Sequence, residues 1–181
     1  SVGVKAPDEF CQIKIIDGEL CVRGDIVFRE YFRNEKETQA AKPDGWFHTG
    51  DICAMDEEGY IHITGRKKNL IILSDGNNVS PEEIEGYFCS HPYIKSMFIS
   101  EHSSRRNCLV ASVHPNFEIL EEAEKMDIHL KINEHIKEIN RRLPAFKRIG
   151  KVVFYDEDFE KTALGKIRRF KYIQENNANA G

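Results

Sequence analysis

Through about the first 65 residues, apolar and polar positions alternate in short runs separated by turn residues, which predicts strands rather than helices. Residues 11–16 (CQIKII) and 19–23 (ELCVR) flank Asp17-Gly18, a dipeptide typical of two-residue hairpin turns. The pattern therefore predicts a β-hairpin. The other elements expected in this part are a short helix at 34–41 (NEKETQAA) and extended segments beginning at Trp46 and at Tyr60.

Beyond Arg66 the pattern changes, and strands alternate with helices. Ser80 is a good N-cap and Pro81 suits the first helical position, so a helix is expected from there to about Ser90. Residues 128–142 predict a long amphipathic helix because their isoleucines recur at helical spacing. The remaining elements expected here are strands at 69–73, 94–100, 109–113 and 151–155 and a last helix at about 166–174.

These elements indicate an α+β fold in two parts. Residues 1–66 are expected to form a partial β-barrel or β-hairpin subdomain, because so few hairpin residues cannot cover both faces of a sheet. Residues 67–181 are expected to form a complete small α+β domain with a three-stranded sheet, flanking helices and a hairpin. We therefore expect the chain to be a fragment of a longer protein.

Composition narrows the class without naming a function. The chain of 181 residues is 40% hydrophobic and 31% charged, values ordinary for a folded globular protein. Its formal net charge of -4 gives no support to nucleic-acid binding. Because the sequence contains no apolar run of the roughly 20 residues that a membrane span needs, we expect no transmembrane segment. The expected location is cytoplasmic, either free or peripheral to a membrane in the intact protein.

The cysteines favour buried thiols over metal ligands. The sequence has no Cys-x-x-Cys pair, and its histidines are not clustered at zinc spacing. We therefore predict reduced, mostly buried cysteines and no metal site. The five residues concerned are Cys11, Cys21, Cys53, Cys89 and Cys108.

Two residues of the first part are candidates for nucleotide contacts. Asp51 ends an extended segment after Thr49-Gly50, where its carboxylate can accept hydrogen bonds from a vicinal diol. An isolated aspartate in this setting is also typical of a turn that bonds its own backbone. Arg66 ends the next strand, where its guanidinium can reach ribose or phosphate oxygens or can simply lie at the surface.

Three further positions lie beyond Arg66. Lys67 and Lys68 extend a cationic run that falls where the two parts join, although such runs are often solvated. Residues 74–78 (SDGNN) tolerate positive φ and can form a tight loop against a ligand or a plain hairpin tip. Lys166 follows Gly165 in a polar segment, where it can neutralise a developing oxyanion or belong to a basic amphipathic helix.

Taken together in order and spacing, these segments resemble the carboxyl-terminal region of the adenylate-forming, or AMP-binding, superfamily. The resemblance rests on residues 45–51 (GWFHTGD), 65–68 (GRKK) and 161–166 (KTALGK), and it spans essentially the whole chain. The superfamily includes acyl-CoA synthetases, firefly luciferase and adenylation domains of nonribosomal peptide synthetases. The length of the loop at 73–78 is most similar to that of bacterial long-chain fatty acyl-CoA synthetases.

The resemblance implies a role for each candidate. Asp51 would bind the ribose hydroxyls of ATP and the adenylate, and Arg66 would contact ribose or phosphate. Lys68 would be the hinge of a mobile lid formed by residues 67–181. Lys166 would be the catalytic lysine of adenylation, and Gly76 would line the CoA tunnel.

Two positions depart from the family pattern. Glu160 stands where a proline is usual, two residues before Thr162, and Asp75 replaces the first glycine of the usual pair. The first departure concerns the loop that carries Lys166, and the second leaves Gly76 as the only glycine of the pair that carries over.

The implied reaction has two steps: a carboxylate attacks ATP to give acyl-adenylate and pyrophosphate, and a thiol then displaces AMP. A small-molecule carboxylate, ATP with Mg2+, and CoA would be the substrates of the intact enzyme, a fatty acid–CoA ligase. The family's phosphate loop and acyl pocket normally lie upstream, and neither is found in these 181 residues. We therefore expect this chain to depend on an upstream large domain, to bind no cofactor tightly and to be inactive alone.

Two alternatives share some or all of these motifs. An adenylation domain that loads a carrier protein would carry every one of them. A non-catalytic binding module could keep the lid fold for protein contacts, although the joint presence of Asp51, Arg66 and Lys166 favours a ligase.

Overall fold

The computed structural model describes residues 11–88, 90–102, 105–119 and 127–178. Backbone contacts divide them into two compact units, the first ending at Leu70 and the second beginning at Ile71. Helices accompany sheets of four, two and three strands, and none of these sheets of the described residues closes into a barrel. The α+β class predicted from the sequence is confirmed.

The first unit is built on a four-stranded antiparallel sheet in the order β1-β2-β3-β4. The predicted hairpin is confirmed, and its turn residues Asp17 and Gly18 have φ values of 49° and 78°. Two consecutive residues with positive φ match the right-handed twist of the strands they join. The strands are β1 (Cys11–Ile16), β2 (Glu19–Gly24), β3 (Phe47–Met55) and β4 (Ile61–Arg66).

The helix predicted between β2 and β3 is α1 (Glu35–Ala41). The side chain of Asn34 accepts a hydrogen bond from the backbone N–H of Glu37 at 3.1 Å, as an N-cap should. None of its residues is buried, so α1 lies on the surface of the first unit.

The pairing of β2 with β3 is irregular near the candidate site. Cys21 of β2 pairs with His48, whereas Glu19 pairs with Ile52, so residues 49–51 lie opposite Leu20 alone. Extra residues on one strand make a bulge, which bends the strand and redirects its side chains. The bulge thus falls on the segment that ends in Asp51.

The second unit has a three-stranded sheet, in which β7 and β8 are antiparallel and β8 and β9 are parallel. Every residue of the central strand β8 is buried, and Ile128, Ile132 and Ile136 of the long helix pack in the same core. The elements are β5 (Ile71–Ile72), β6 (Asn78–Val79), α2 (Pro81–Gly86), β7 (Ile94–Glu101), β8 (Leu109–Pro115), α3 (Ile128–Arg142), β9 (Ile149–Phe154) and α4 (Arg169–Ala178).

Three predicted boundaries are wrong. Helix α2 ends at Gly86 rather than near Ser90, because Tyr87 and Phe88 donate to carbonyls three residues earlier and tighten the chain into a turn. Helix α4 begins at Arg169 rather than Lys166, since the residues before it form a separate turn. The strand predicted at 69–73 is only β5, because Lys67–Asn69 form a 3-10 turn.

Four of the predicted buried thiols are confirmed. Cys11, Cys21, Cys53 and Cys108 are buried and free, and Cys89 lies outside the described residues. Within the described part of the chain, every helix is too short or too polar to cross a membrane.

Candidate functional site

Asp51 and Arg66 form the centre of the candidate site in the first unit. They are paired residues of β3 and β4, and Arg66 Nε lies 2.8 Å from Asp51 Oδ1. The Asp51 side chain is 25% exposed and that of Arg66 is 47% exposed, so a ligand can reach both. The pair uses Oδ1, which leaves Oδ2 to accept a hydrogen bond from a ligand hydroxyl.

The local sequence explains how the pair is presented. Gly50 has φ +72°, a conformation that side chains other than glycine rarely adopt. Thr49 Oγ1 donates to the Leu20 carbonyl at 2.8 Å and accepts from the Asp51 N–H at 3.1 Å. The Thr49 carbonyl in turn accepts from Arg66 Nη1 at 3.2 Å. The Thr-Gly-Asp segment is therefore fixed from both neighbouring strands.

Sequence reasoning missed a buried carboxylate directly beneath this segment. Glu19, the first residue of β2, is only 3% exposed. Its Oε1 accepts from the Gly50 N–H at 3.0 Å, and its Oε2 lies 2.8 Å from Lys67 Nζ and 3.0 Å from His48 Nδ1. Strand alternation was the available signal, since it places Glu19 on the same face as the buried Cys21.

Electrostatics favour an ionised Glu19. Burial raises the pKa of this carboxyl group, but hydrogen bonds from Lys67, His48 and Gly50 outweigh that effect and leave the pKa below its ordinary value. Lys67 shows the reciprocal change, since its contact with Glu19 raises the pKa of the ammonium group. The carboxylate and the ammonium therefore form an ion pair.

The same cluster contains a thiol and an imidazole. The atoms of Glu19, Cys21 and His48 that could bind a metal all lie within 4.8 Å of one another. The sequence does not indicate this cluster, because His48 is far from the other two residues along the chain. Burial raises the pKa of Cys21, and the neighbouring Glu19 adds to the rise, so the thiol is a poor metal ligand here. Lys67 already supplies a positive charge to the shared carboxylate. That the chain holds no metal stays a prediction.

The residue predicted to be a hinge lies in the 3-10 turn Lys67–Asn69 that follows β4. Lys68 is exposed, whereas its neighbour Lys67 is tied to Glu19. The two adjacent lysines therefore differ in their surroundings, although the sequence presents them as one cationic run.

Gly76 lies at the tip of the small hairpin formed by β5 and β6. It has φ +86°, and a side chain placed on it would meet no atom within 4 Å. The tip is closed by hydrogen bonds from the Leu73 N–H to the Asn77 carbonyl and from the Gly76 N–H to the Leu73 carbonyl, both 2.9 Å. Ser74 is tethered to Asn107 Oδ1 at 2.8 Å. The result is an ordered tip with open space above its glycine.

Lys166 occupies a compact loop before α4. An isolated bridge pairs Lys161 with Ile167, and the Thr162 N–H donates to the Lys166 carbonyl at 2.8 Å. Thr162 Oγ1 also accepts from the Lys166 N–H at 3.2 Å, and Gly165 takes φ +76° at the turn. The Lys166 side chain is exposed and makes no ion pair with a residue of the described ranges. Its backbone is held while its ammonium group stays available.

The loop is anchored by aromatic packing and by an ion pair at the start of α4. Phe98, Phe159 and Tyr172 form a buried cluster, and Ile167 packs against it. At the start of α4, Arg169 Nη2 lies 2.9 Å from Glu85 Oε2. Phe159 precedes Lys166 in the sequence, and Ile167, Arg169 and Tyr172 follow it, so these contacts hold both ends of the loop.

The structure thus brings together two of the five predicted site residues. Asp51 and Arg66 are in contact in the first unit. Gly76 and Lys166 both belong to the second unit, one on the β5–β6 hairpin and the other in the loop before α4, and Lys68 lies in the turn between β4 and β5.

Comparison with known proteins shows similarity to AMP-binding enzymes and CoA ligases. The profile of the AMP-binding enzyme C-terminal domain matches residues 68–179. Long-chain-fatty-acid–CoA ligase FadD15 of Mycobacterium tuberculosis is 49% identical over 83 residues, which cover 46% of this chain and 14% of that protein. Probable CoA ligase CCL9 of Humulus lupulus is 34% identical over 163 residues, which cover 87% of this chain and 28% of that protein.

Among solved structures, the anthranilate CoA ligase AuaEII in complex with anthranoyl-AMP aligns with a TM-score of 0.72 and 26% sequence identity. The alignment covers 95% of this chain and 34% of that one. The chain therefore spans no more than about a third of the length of these relatives.

Proposed function

Because the chain belongs to the AMP-binding enzyme C-terminal domain family, we propose that it is the C-terminal part of an ATP-dependent fatty acid–CoA ligase. In the first step, a fatty acid carboxylate attacks the α-phosphorus of ATP, and pyrophosphate leaves. In the second step, the thiolate of CoA attacks the acyl carbon, and AMP leaves as the thioester forms. The relative at 49% identity is a long-chain-fatty-acid–CoA ligase, which supports a fatty acid as the substrate class.

The contact between Asp51 and Arg66 is the observation that carries this proposal. A partly exposed carboxylate with one oxygen still open suits the two ribose hydroxyls, and the adjacent guanidinium suits a ribose or phosphate oxygen. AMP is part of both the acyl-adenylate and the leaving group, so this pair would bind the nucleotide in both steps. ATP would enter with Mg2+, for which we assign no ligand in this chain.

Lys166 is proposed as the group specific to the first step. Charge builds up on phosphate and carboxylate oxygens when the acyl-adenylate forms, and a positioned ammonium group stabilises it. The hydrogen-bonded backbone of Lys166 suits that task, as does a side chain that is exposed and forms no ion pair with a described residue. Because it would act by electrostatics rather than by forming a bond, its loss should affect adenylation more than thioester formation.

Gly76 and Lys68 are proposed for the second step and for the change between steps. The open space above Gly76 would let the chain of CoA approach the backbone closely. Rotation at Lys68 would replace Lys166 by the Gly76 hairpin, with residues 1–66 belonging to the large domain and residues 67–181 forming the lid. Hinge closure is a common way to reuse one active site. The exposed 3-10 turn around Lys68 supports this assignment.

The test separates the two steps in the full-length protein that contains this chain. Lys166→Ala should lower ATP–pyrophosphate exchange by on the order of a hundredfold or more, because one stabilising group is lost from the transition state. Thioester formation from preformed acyl-adenylate should stay within a few-fold of the unmodified protein. Lys161→Ala is the matched control, since it removes an exposed lysine of the same loop. Equal losses in both steps would contradict the assignment.

The same protein preparation decides the thiol acceptor. Supplied with acyl-adenylate, the ligase should form a thioester with CoA and not with a carrier protein. Transfer to a phosphopantetheinylated carrier at a higher kcat/KM than to CoA would instead identify a carrier-loading adenylation domain.

A further inference from the structure

Two oxygens of one buried carboxylate hold residues on both sides of the Asp51–Arg66 pair. Glu19 Oε1 accepts from the N–H of Gly50, which directly precedes Asp51. Glu19 Oε2 accepts from Lys67 Nζ, which belongs to the residue directly after Arg66. The carboxylate therefore connects the end of the β3 bulge with the end of β4.

The burial of Glu19 makes this connection specific. An ionised group that is 3% exposed needs partners for its lone pairs, and here all the named partners come from the two segments that present the nucleotide pair. His48 contributes from the same β3 segment at 3.0 Å. Asp44 and Asp56 of the first unit are exposed, and their partners, such as Lys14 and His62, are not residues next to Asp51 or Arg66.

We propose that Glu19 is a positioning residue of the nucleotide site, which fixes the Asp51 carboxylate and the Arg66 guanidinium against each other before ATP binds. The inference rests on the proposed function of that pair. Glu19 touches neither the nucleotide nor the reacting atoms, and it acts through Gly50 and Lys67.

The physical need for such a residue lies in the bulge. Gly50 is the most adaptable residue of its segment, and its positive φ is compatible with several orientations of the following peptide. The hydrogen bond from its N–H to Glu19 selects one of them and so sets the direction of Asp51. Ordering the site in advance removes an entropy cost that ATP binding would otherwise bear.

The effect is expected in affinity more than in turnover. Ribose hydroxyls do not react, so a contact to them strengthens substrate and transition state alike, and its loss raises KM while kcat changes little. In the full-length protein, Glu19→Gln should raise the KM for ATP roughly tenfold, since one tenfold step matches the loss of a well-oriented charged hydrogen bond. The kcat of ATP–pyrophosphate exchange should stay within about threefold.

A second readout reports on the ribose contact itself. The unmodified protein should prefer ATP to 2′-deoxy-ATP, because only ATP offers Asp51 both hydroxyls. Glu19→Gln should reduce that preference, since the carboxylate that recognises the diol is no longer held in place. A residue that only stabilises the fold would leave the preference unchanged.

Cys53→Ala is the matched control for stability. Cys53 is a buried residue of the same strand, β3, and none of the contacts that Glu19 makes involves it. This variant should lower the free energy of unfolding while leaving the KM for ATP and the preference for ATP within about twofold. A rise in KM equal to that of Glu19→Gln would reduce Glu19 to a structural role.

Lys67→Met provides an independent route to the same answer. Lys67 is 59% exposed, so methionine at this position leaves no cavity, and the free energy of unfolding should be measured beside the KM because Glu19 loses its cation. Lys67→Met should raise the KM for ATP, and the double variant with Glu19→Gln should be no worse than the more defective single variant, because both remove one connection. Fully additive effects would overturn the proposal.

The outcomes separate this inference from the function on which it depends. If Asp51→Ala raises the KM for ATP and Glu19→Gln does not, the positioning role is refuted and the nucleotide site stands. If neither variant changes the KM of an active ligase, the assignment of the nucleotide site itself is wrong.

Discussion

Glu19 in the first unit and Glu85 in the second are both largely shielded from water, and their pKa values shift in opposite directions. Glu19 in the first unit has a pKa below its ordinary value, because Lys67, His48 and Gly50 together outweigh the effect of burial. Burial raises the pKa of Glu85 in the second unit, and Arg169 and the Ile99 N–H only partly oppose it. The number and kind of donors, rather than burial alone, decide in which direction the pKa of a shielded acid shifts.

The two carboxylates also stand in different relations to the proposed chemistry. Glu19 binds residues next to Asp51 and Arg66, a pair that would serve both steps of the reaction. Glu85 binds Arg169 at the start of α4, three residues beyond a lysine that would serve only one step. Glu19 thus holds the pair that we propose for both steps, and Glu85 holds the base of the loop that carries Lys166, which we propose for one step.

The sharpest way to break this comparison is to remove Asp51. Asp51→Ala should lower kcat/KM of ATP–pyrophosphate exchange and of thioester formation alike, each by on the order of a hundredfold and mainly through KM, because contacts to the ribose are lost in both steps. Both rates should be measured in the full-length protein beside Lys166→Ala, which is expected to affect the first alone. A selective loss of one step in Asp51→Ala would remove the distinction between a shared contact and a step-specific one.

A second test concerns the anchor of the second unit. Arg169→Ala removes the cation beside Glu85, whose side chain is only 14% exposed, and breaking such a largely shielded pair should cost roughly 1–3 kcal/mol in the free energy of unfolding. Urea denaturation of the chain, followed by far-UV circular dichroism, checks this value. The matched control is Arg142→Ala, whose ion pair with Glu138 is largely exposed and should contribute less than about 1 kcal/mol. Equal losses would show that the Glu85 contact is no stronger than a surface pair.

Local patterns predicted much of the fold, and the reason is visible in particular elements. The Asp17-Gly18 hairpin and α3 depend on turn chemistry and apolar periodicity within one segment, and both are present as predicted. The start of α4 was misplaced because the bridge between Lys161 and Ile167 closes a turn that competes with the helix. The end of α2 was misplaced for a similar reason, since hydrogen bonds of a turn replace those of the helix.

Local sequence patterns predicted less of the candidate site than of the fold. Asp51 and Arg66 were accessible from motif spacing, and their contact is consistent with the shared role. Glu19 was not, because its partners lie up to 48 residues away and only the folded sheet gathers them. The difference between Lys67 and Lys68 is equally invisible in the sequence, where both belong to one run of cations.

A third test uses pH to compare the two carboxylates directly. Because the pKa of Glu19 is lowered in the folded state, the unfolded chain binds a proton at this carboxylate more readily than the folded chain does. The contribution of Glu19 to stability is therefore present above pH 4.5 and is lost as the pH falls through the lower pKa of the folded state. The raised pKa of Glu85 has the reverse sign, and its contribution is lost as the pH rises from 4.5 through the higher folded value. Denaturation midpoints of Glu19→Gln and Glu85→Gln across this range check both directions. The same pH slope in both variants would contradict the opposite directions of the two pKa shifts.

The smallest expected effect comes from the turn that carries Lys166, and it sharpens the comparison between a fixed pair and a presented lysine. Gly165 has φ +76°, so Gly165→Ala should cost about 1 kcal/mol in stability, because an alanine side chain is strained there. Gly86→Ala is the matched control: Gly86 lies in α2 with open space around it and no positive φ, so alanine should be neutral or stabilise by up to about 1 kcal/mol. If the backbone turn positions Lys166, Gly165→Ala should slow ATP–pyrophosphate exchange several-fold beyond its effect on thioester formation, whereas Gly86→Ala should change neither. Equal slowing of both steps by Gly165→Ala would mean that the turn supports the fold of the second unit without orienting its lysine.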